Sequence, residues 1–495
     1  MSITSPLFFA CAALFILAHW KLPPRLRLPW LLLGSMAFLA TWSWQFILVL
    51  LVVTAVNYGL GLRLAGPRKR LILWAGILFN LGVLLFFKYH RFYAPALSAF
   101  LSRLGIAAGT GALGLLMPVG LSFLTIQFIS YLVDVSQGRI PPEKDALVFA
   151  LYGYYFPKLL SGPIERAGEF FGRLRAPAAP SGERLTRSLS LILVGLARKV
   201  LLADSLNALL PADLFENPGL YPGPLLAVWL LAYAFALYND FAGYTGIVRG
   251  VSALLGIDLN LNFRVPYFAR NFTEFWTRWH ISLSNWLRDY IFFPCSRFLL
   301  KRFPRRSHPI HILLPPLLTM LVSGLWHGLS WNMLLWGGVH GLYLILERVI
   351  SLVKGRRAPG ELPGGLQVLS ALGVFACVAL AWLPFRMDAT TALQYLQGLL
   401  SPANWPLAEY KIYLARFVAA YRYSPETWMP WILPLLQTAA FVLPGLFLDR
   451  LQYRDEFAFL KWKPWLQGLT LALLALALLL LALTDTGAPF IYQGF

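Results

Sequence analysis

Apolar runs long enough to cross a lipid bilayer recur along the whole sequence and leave this chain few possible folds. A hydrocarbon core about 30 Å thick needs about 20 apolar residues in a helix. Backbone groups in lipid must be hydrogen-bonded within the protein, which leaves only helices and closed barrels. Charged residues make up 13% of the chain, against roughly 25% in soluble domains. The sequence therefore predicts an all-α, polytopic integral membrane protein.

The apolar runs follow one another without a polar stretch of domain length between them. We expect a single membrane domain over residues 1–495, with its motif-bearing core at about 113–350. Run lengths predict about 11–13 membrane helices, plus re-entrant or interfacial helices. The candidate spans lie at about 6–20, 30–43, 45–62, 70–87, 113–134, 145–162, 186–209, 222–240, 310–329, 331–350, 366–384, 429–448 and 465–483.

Basic residues cluster in short loops at 21–27, 63–70, 297–306 and 354–357 and contribute to a net charge of +20. Cytoplasmic loops of membrane proteins carry such charges, where they face anionic lipid. We therefore expect the excess positive charge to face a membrane surface. We expect no nucleic-acid partner. The first apolar run has its basic flank after it, which predicts a retained helix with an extracytoplasmic amino terminus.

One aromatic-rich segment, from Phe268 to Phe293, carries too many charges for a lipid-facing span. Its apolar side chains recur at steps of three and four, which is typical of one helical face. Polar side chains such as Glu274, Arg278 and Asp289 occupy the other face. The pattern predicts a helix, or a broken pair of helices, that lies at the interface or re-enters the protein.

Several catalytic signatures are absent from the sequence, among them HExxH, GxSxG and the phosphate-binding GxxxxGK[ST] pattern. His308 and His311 are spaced as metal ligands, but no third ligand is evident. The three cysteines, at positions 11, 295 and 377, lie far apart and show no metal or redox spacing. We therefore predict no metal site.

Ionisable side chains inside apolar runs are candidate functional residues, because inserting one into a membrane span costs roughly 2.5–3.5 kcal/mol. Asp240 lies at the end of an apolar run, close to Gly243 and Tyr244. Two interpretations are open for it. Asp240 binds substrate, or it pairs with an arginine at a helix end.

His327 lies within the run VSGLWHGLSW, between two tryptophans. A helix that begins at Pro315 and Pro316 would place His327 about 17 Å along its axis, near the middle of the hydrocarbon core. A neutral imidazole there keeps a lone pair and suits general base catalysis. The local sequence also allows a packing role for His327. For His280, the alternatives are a functional role and a place in an interfacial aromatic belt.

Three long motifs resemble the membrane-bound O-acyltransferase family: GLWHGLSWNMLLWGGVHGLYLILER, FTEFWTRWHISLSNWLRDYIFFP and PVGLSFLTIQFISYLVDVSQG. KLLSGPIER and NDFAGYTGIVRGVSALLGIDLNLNF extend the resemblance over nearly the whole chain. Within the family, the chain is most similar to the bacterial branch that contains the membrane subunit of alginate O-acetylation.

The resemblance implies a catalytic role for His327 and a functional role for His280, the second motif histidine of this branch. It also implies a helical bundle with a thinned centre, where a cytoplasmic tunnel for the acyl donor meets an extracytoplasmic funnel. The other expected site residues shape the tunnel or support the site, and they are Trp276, Trp279, Trp326, Arg288, Asp289 and Asp240.

The chain departs from the alginate-type pattern at three places. Asn239 stands where that pattern usually has phenylalanine, and Gly246 where it has aspartate. Residues 291–297, IFFPCSR, replace a glycine pair and a basic turn. These departures concern the acceptor more than the reaction, so the resemblance does not imply alginate itself.

Together, the sequence and the resemblance predict an O-acyltransferase of a bacterial inner membrane. It would take an acyl group, expected to be acetyl, from a cytoplasmic thioester such as acetyl-CoA, without a bound cofactor. The acceptor would be a hydroxyl of an extracytoplasmic, alginate-like polysaccharide or of a periplasmic partner transferase. Two alternatives are D-alanyl transfer to a teichoic acid and a flippase or transporter for a lipid-linked glycan.

Overall fold

A computed structural model describes residues 2–103, 118–305, 308–354, 363–405 and 429–482 of the chain. Within these ranges the chain forms helices joined by turns and loops, and it contains no strand. The prediction of an all-α protein is therefore confirmed. Parts of two candidate spans, residues 113–117 and residue 483, lie outside the described residues.

The chain forms two compact units that alternate along the sequence. The first comprises residues 1–192 and 247–260, and the second comprises residues 193–246 and 261–495. The single domain over 1–495 stays a prediction. The first ten helices are α1 (Pro6–Lys21), α2 (Pro24–Ala40), α3 (Trp44–Arg63), α4 (Lys69–Lys88), α5 (His90–Arg103), α6 (Leu121–Ser136), α7 (Ala146–Tyr154), α8 (Phe156–Leu159), α9 (Ala167–Arg175) and α10 (Gly182–Leu196).

The rest of the chain contains the longest helix and all the candidate catalytic residues. Two π-helical turns lie at Ala197–Asp204 and Arg288–Phe292. The α-helices are α11 (Ser205–Ala208), α12 (Gly223–Leu254), α13 (Phe272–Arg278), α14 (Ile281–Leu287), α15 (Phe293–Arg302), α16 (Ile310–His327), α17 (Trp331–Lys354), α18 (Gly364–Arg386), α19 (Ala389–Leu400), α20 (Met429–Gln452) and α21 (Pro464–Ala482).

Among the described residues, 7 helices are long and apolar enough to cross a membrane: α3, α4, α12, α16, α17, α18 and α20. Shorter apolar helices are α1, α6 and the first part of α21. The exposed surface of several of these helices is rich in leucine, as expected for side chains in lipid. The protein is thus a multi-pass membrane protein, and the total of about 11–13 membrane helices stays a prediction.

In the first unit, buried polar contacts hold the segment KLLSGPIER. The ammonium group of Lys158, only 1% exposed, donates to Gln127 Oε1 and to the carbonyl of Tyr152, both at 2.5 Å. Glu165, with no exposed surface, accepts from Arg173 at 2.7 Å. Buried charges persist only when they are paired and hydrogen-bonded. This motif therefore has a structural use within the first unit.

The prediction of one membrane helix over residues 145–162 is wrong. Helix α7 ends at Tyr154, Tyr155 is not helical, and the short helix α8 follows with Pro157 in its first turn. Proline lacks the backbone N–H that would bond to a carbonyl in the preceding turn, so it is tolerated in the first turn of a helix but not in its interior. The apolar run is therefore divided into two short helices, and it does not cross a membrane as one.

The predicted start of the helix before His327 is also wrong. Helix α16 begins at Ile310, and Pro315 and Pro316 lie inside it. Prolines are tolerated inside membrane helices because neighbouring groups satisfy the freed carbonyls. His327 is the last residue of α16, so the depth calculated from a start at Pro315 no longer applies.

Glycines bring α16 and α17 into close contact around the connection at 328–330. A methyl group added at Gly324 would meet the carbonyl oxygen of Met333, and one added at Gly337 would meet the carbonyl oxygen of Met320. Small residues of this kind let two membrane helices approach at backbone distance. The pairing places the end of α16 against the first turns of α17.

We expect Gly337→Ala to lower the stability of the protein by about 1–3 kcal/mol, because the added methyl group overpacks the contact with α16. Gly338→Ala is the matched control, since a methyl group there meets no described atom within 4 Å. Thermal unfolding of the two variants in detergent, followed by tryptophan fluorescence, measures the difference. Equal midpoints for both variants would contradict this role for the glycines.

Candidate active site

His327 ends α16 and is 4% exposed. The chain leaves the helix at Gly328, whose backbone is extended, and enters α17 three residues later. The carboxyl end of a helix carries a partial negative charge that stabilises a nearby cation. This position is compatible with the catalytic role predicted for His327.

Aromatic rings surround the imidazole of His327. Its ring centroid lies 4.8 Å from that of Trp326, 5.2 Å from Trp336 and 5.3 Å from Phe385, each in an edge-to-face arrangement. These rings enclose the imidazole in an apolar environment that excludes water. The catalytic role of His327 stays a prediction.

His280 lies at the break between α13 and α14, in a left-handed backbone conformation with φ at 42°. This confirms that the amphipathic segment is a broken pair of helices. Few residues other than glycine adopt a left-handed conformation, which costs of order 1–3 kcal/mol and is found most often at functional sites. The surrounding contacts therefore have to hold His280 in place.

Asn262 and Ser284 fix the break on either side of His280. The carbonyl of Asn262 accepts from the backbone N–H of Ile281 at 2.9 Å, and its side chain accepts from Ser282 at 3.2 Å. Ser284 donates through Oγ to the carbonyl of Trp279 at 3.0 Å. These bonds satisfy groups that a broken helix leaves without intrahelical partners.

Trp326 connects the surroundings of the two predicted histidines. The indole centroid lies 4.8 Å from His327 and 6.4 Å from His280, and Phe241 contacts His280 at 4.9 Å. His280 lies outside the spanning helices and is 1% exposed. Burial lowers the pKa of its imidazole to about 3, so His280 is neutral near pH 7. The structure thus brings both predicted histidines into one aromatic site.

Trp276 and Trp279 belong to the same aromatic cluster but face different neighbours. Trp279 is buried and packs against Trp382 at 4.8 Å. Trp276 packs against Trp336 at 6.1 Å and against His340 at 5.1 Å. The tunnel that these side chains were expected to shape stays a prediction.

His340 is a third buried histidine of this cluster, and the sequence analysis missed it. It has no exposed surface, and its ring lies 5.1 Å from Trp336. Trp336 in turn contacts His327, so one indole contacts two imidazoles. A signal was available, because His340 lies inside the span 331–350 in WGGVHG and an ionisable residue in a span is a candidate by default.

Arg288 and Asp289, predicted to support the site, form an ion pair with each other at 3.2 Å in the second π-helical turn. Their side chains are 51% and 32% exposed. Exposed pairs of this kind contribute little to stability. Their part in catalysis stays a prediction.

Asp240 lies in the interior of α12, because this helix continues to Leu254. Its carboxylate accepts from Lys199 at 2.7 Å, and the same ammonium group binds Asp204 at 2.7 Å. One partner of Asp240 is thus a lysine in the interior of the second unit, whereas pairing with an arginine at a helix end stays a prediction. Because the fold itself pairs Asp240, the pairing role has structural support, and substrate binding stays a prediction.

Metal ligands do not cluster in the described part of the chain, where no group of three histidine, cysteine, aspartate or glutamate side chains is placed to hold an ion. His308 and His311 lie with ring centroids 6.2 Å apart. His311 contacts the carbonyl of Phe303 at 2.9 Å, which gives it a structural partner.

Comparison with known proteins identifies the family. The model of the membrane-bound O-acyltransferase family matches residues 143–381. The chain is 32% identical to the probable alginate O-acetylase AlgI of Pseudomonas aeruginosa, over 81% of this chain and 75% of that protein.

Two further relatives have names that give other acceptors. A peptidoglycan O-acetyltransferase of Helicobacter pylori is 28% identical over 78% of this chain and 76% of its own length. A teichoic acid D-alanyltransferase of Streptococcus thermophilus is 30% identical over 54% of this chain and 66% of its own length. The protein belongs to the membrane-bound O-acyltransferase family, in the branch of the alginate O-acetylases, and it is an O-acyltransferase.

Proposed function

We propose that this enzyme transfers acetyl groups from acetyl-CoA on the cytoplasmic side of a bacterial inner membrane to a hydroxyl group on the other side. The acceptor hydroxyl belongs to the glycan itself or to a periplasmic partner transferase that completes the transfer. The observation that carries the proposal is the aromatic site in which Trp326 joins His327 to His280. The names of the alginate and peptidoglycan relatives support acetyl as the acyl group and a polysaccharide as the acceptor.

His327 is the general base of the proposed reaction. It takes the proton of the acceptor hydroxyl as the hydroxyl oxygen attacks the carbonyl carbon of the thioester. The carbonyl oxygen becomes negative, then the C=O bond reforms and the C–S bond breaks. The proton passes from His327 to the departing thiolate, so the products are an acetyl ester and free CoA. No covalent acetyl-enzyme is needed, which agrees with a sequence that lacks GxSxG.

His280 orients the acceptor hydroxyl or stabilises negative charge on the tetrahedral oxygen. It is suited to either role, because a neutral imidazole has one N–H donor and one acceptor nitrogen. Its strained backbone supports a functional role, since the site keeps a histidine where glycine would adopt the conformation at no cost.

The remaining candidate residues have supporting parts in this proposal. Trp326 and Trp276 exclude water from the reacting groups, which strengthens electrostatic interactions there. Asp240 holds the helix core through Lys199. The amino terminus is proposed to lie outside the cytoplasm, since the basic flank follows the first helix.

D-alanyl transfer to a teichoic acid is a second candidate, favoured by the relative from Streptococcus thermophilus. It uses the same histidine chemistry with a carrier-protein thioester in place of acetyl-CoA. The flippase hypothesis has no such support, because family membership identifies an enzyme. Purified protein incubated separately with radiolabelled acetyl-CoA and with a D-alanyl carrier protein distinguishes the two donors.

We expect His327→Ala to lower acetyl transfer by about 10²–10⁴-fold, which is the usual contribution of a general base. The measurement is release of free CoA thiol together with transfer of radiolabel to an acidic polysaccharide. His308→Ala is the control, because it removes an exposed histidine from a loop and should leave turnover unchanged. Full turnover by His327→Ala would show that the base is another residue.

We expect His280→Gly to keep the fold but lower transfer by at least about 10²-fold, since glycine accepts a left-handed conformation without strain. His280→Asn should retain more activity, because asparagine tolerates that conformation and keeps a hydrogen-bonding group. Thermal midpoints and initial rates of both variants are the measurements. Wild-type rates for His280→Gly would show that His280 has only a structural role.

A further inference from the structure

Four neighbouring aromatic residues, one of which contacts His327, have polar atoms that find no hydrogen-bond partner among the described residues. They are the indole Nε1 atoms of Trp276, Trp336 and Trp382 and both ring nitrogens of His340. The ring of His340 lies 5.1 Å from Trp276, 5.1 Å from Trp336 and 6.1 Å from Trp382. Unsatisfied groups are thus concentrated around one residue.

Buried polar groups are nearly always hydrogen-bonded in native proteins, and an exception calls for an explanation. An apolar ring at position 340 would fill similar space without leaving two nitrogens unsatisfied. His340 has no exposed surface, and Trp336 is 1% exposed, so solvent does not satisfy these atoms either. A substrate that brings oxygen atoms into the site would supply the missing partners.

The ring of Trp336 lies close to the expected position of the thioester carbonyl. Residues four apart lie on the same face of a helix, so Trp336 and His340 project from one face of α17. The ring of Trp336 lies 5.2 Å from that of His327 and nearly perpendicular to it, at 87°. The thioester carbonyl must lie within a few ångströms of His327 when the hydroxyl attacks. Trp336 is thus a donor next to the place where negative charge develops.

We propose that Trp336 and His340 form the oxyanion hole of the acyl transfer, an inference that rests on the thioester reaction proposed above. The indole N–H of Trp336 and a ring N–H of His340 donate to the carbonyl oxygen of the donor thioester. An indole nitrogen only donates, which suits an oxygen that becomes negative.

The chemical step is balanced without any further reactant. The hydroxyl oxygen forms a bond to the carbonyl carbon, its proton moves to His327, and the C=O electron pair moves onto the oxygen. Trp336 and His340 stabilise that charge. The electron pair then reforms C=O, the C–S bond breaks and the thiolate takes the proton from His327. In this arrangement His280 is left to orient the acceptor hydroxyl.

The test uses Trp336→Phe and His340→Phe in the full-length enzyme with acetyl-CoA as donor. Each variant keeps an aromatic ring and removes the donor. Loss of one oxyanion-hole donor lowers kcat by about 10²–10³-fold, and the KM for acetyl-CoA should change by less than about threefold because the ground-state carbonyl gains little from these bonds. His340→Phe should unfold at a temperature no lower than the wild type, since two unsatisfied nitrogens are removed.

Matched controls come from the first unit. His19 is 1% exposed and both its ring nitrogens lack partners among the described residues, as does Nε1 of Trp42. His19→Phe and Trp42→Phe make the same chemical changes and should leave kcat unchanged. His340→Gln restores an N–H donor and should recover part of the activity that His340→Phe loses.

The proposal is overturned if either phenylalanine variant at 336 or 340 turns over at the wild-type rate. It is also overturned if the loss of activity is matched by a fall in thermal midpoint, or if His340→Gln recovers nothing, because ring packing then explains the defect. If wild-type protein transfers no acetyl from acetyl-CoA, the proposed function itself is wrong. That failure is distinct, because it appears before any variant is compared.

Discussion

The close contact between α16 and α17 determines the arrangement of the whole site. Gly324 and Gly337 let the two helices meet at backbone distance, and the short connection after His327 reverses the chain direction. His327 at the end of one helix therefore faces Trp336 near the start of the other, with ring centroids 5.2 Å apart. A side chain at either glycine would clash with a backbone carbonyl of the other helix and move His327 away from this aromatic wall. The small residues thus position the residue that we propose as the base.

A second constraint is the buried charge network around the first π-helical turn. Arg198 donates to Asn239 at 2.8 Å and to Asp449 at 2.5 Å, while the next residue, Lys199, holds Asp240. Asn239 is one of the positions where the chain departs from the alginate-type pattern. Its amide serves the fold directly, because it partners a buried arginine that phenylalanine could not satisfy. This departure therefore has a structural explanation and is no evidence for a different acceptor.

The sequence predicted much of the fold because bilayer thickness and backbone hydrogen bonding limit apolar runs to helices. It failed where proline has two possible effects. Pro157 separates two short helices, whereas Pro315 and Pro316 lie inside α16, and only tertiary contacts decide between these outcomes. Family motifs singled out His327 and His280. His340 was missed although it lies inside an apolar span, and its aromatic neighbours, such as Trp276, are distant in sequence.

The three histidines of the site show how one environment supports different tasks. All are buried among aromatic rings, yet each is held differently. His327 is held as the last residue of α16. His280 is held in a strained backbone conformation that fixes its direction, and His340 keeps its nitrogens unsatisfied among indoles. In the proposed reaction, the donors of Trp336 and His340 gain most of their hydrogen-bond energy only once the carbonyl oxygen becomes negative, so these contacts stabilise the transition state more than the bound substrate.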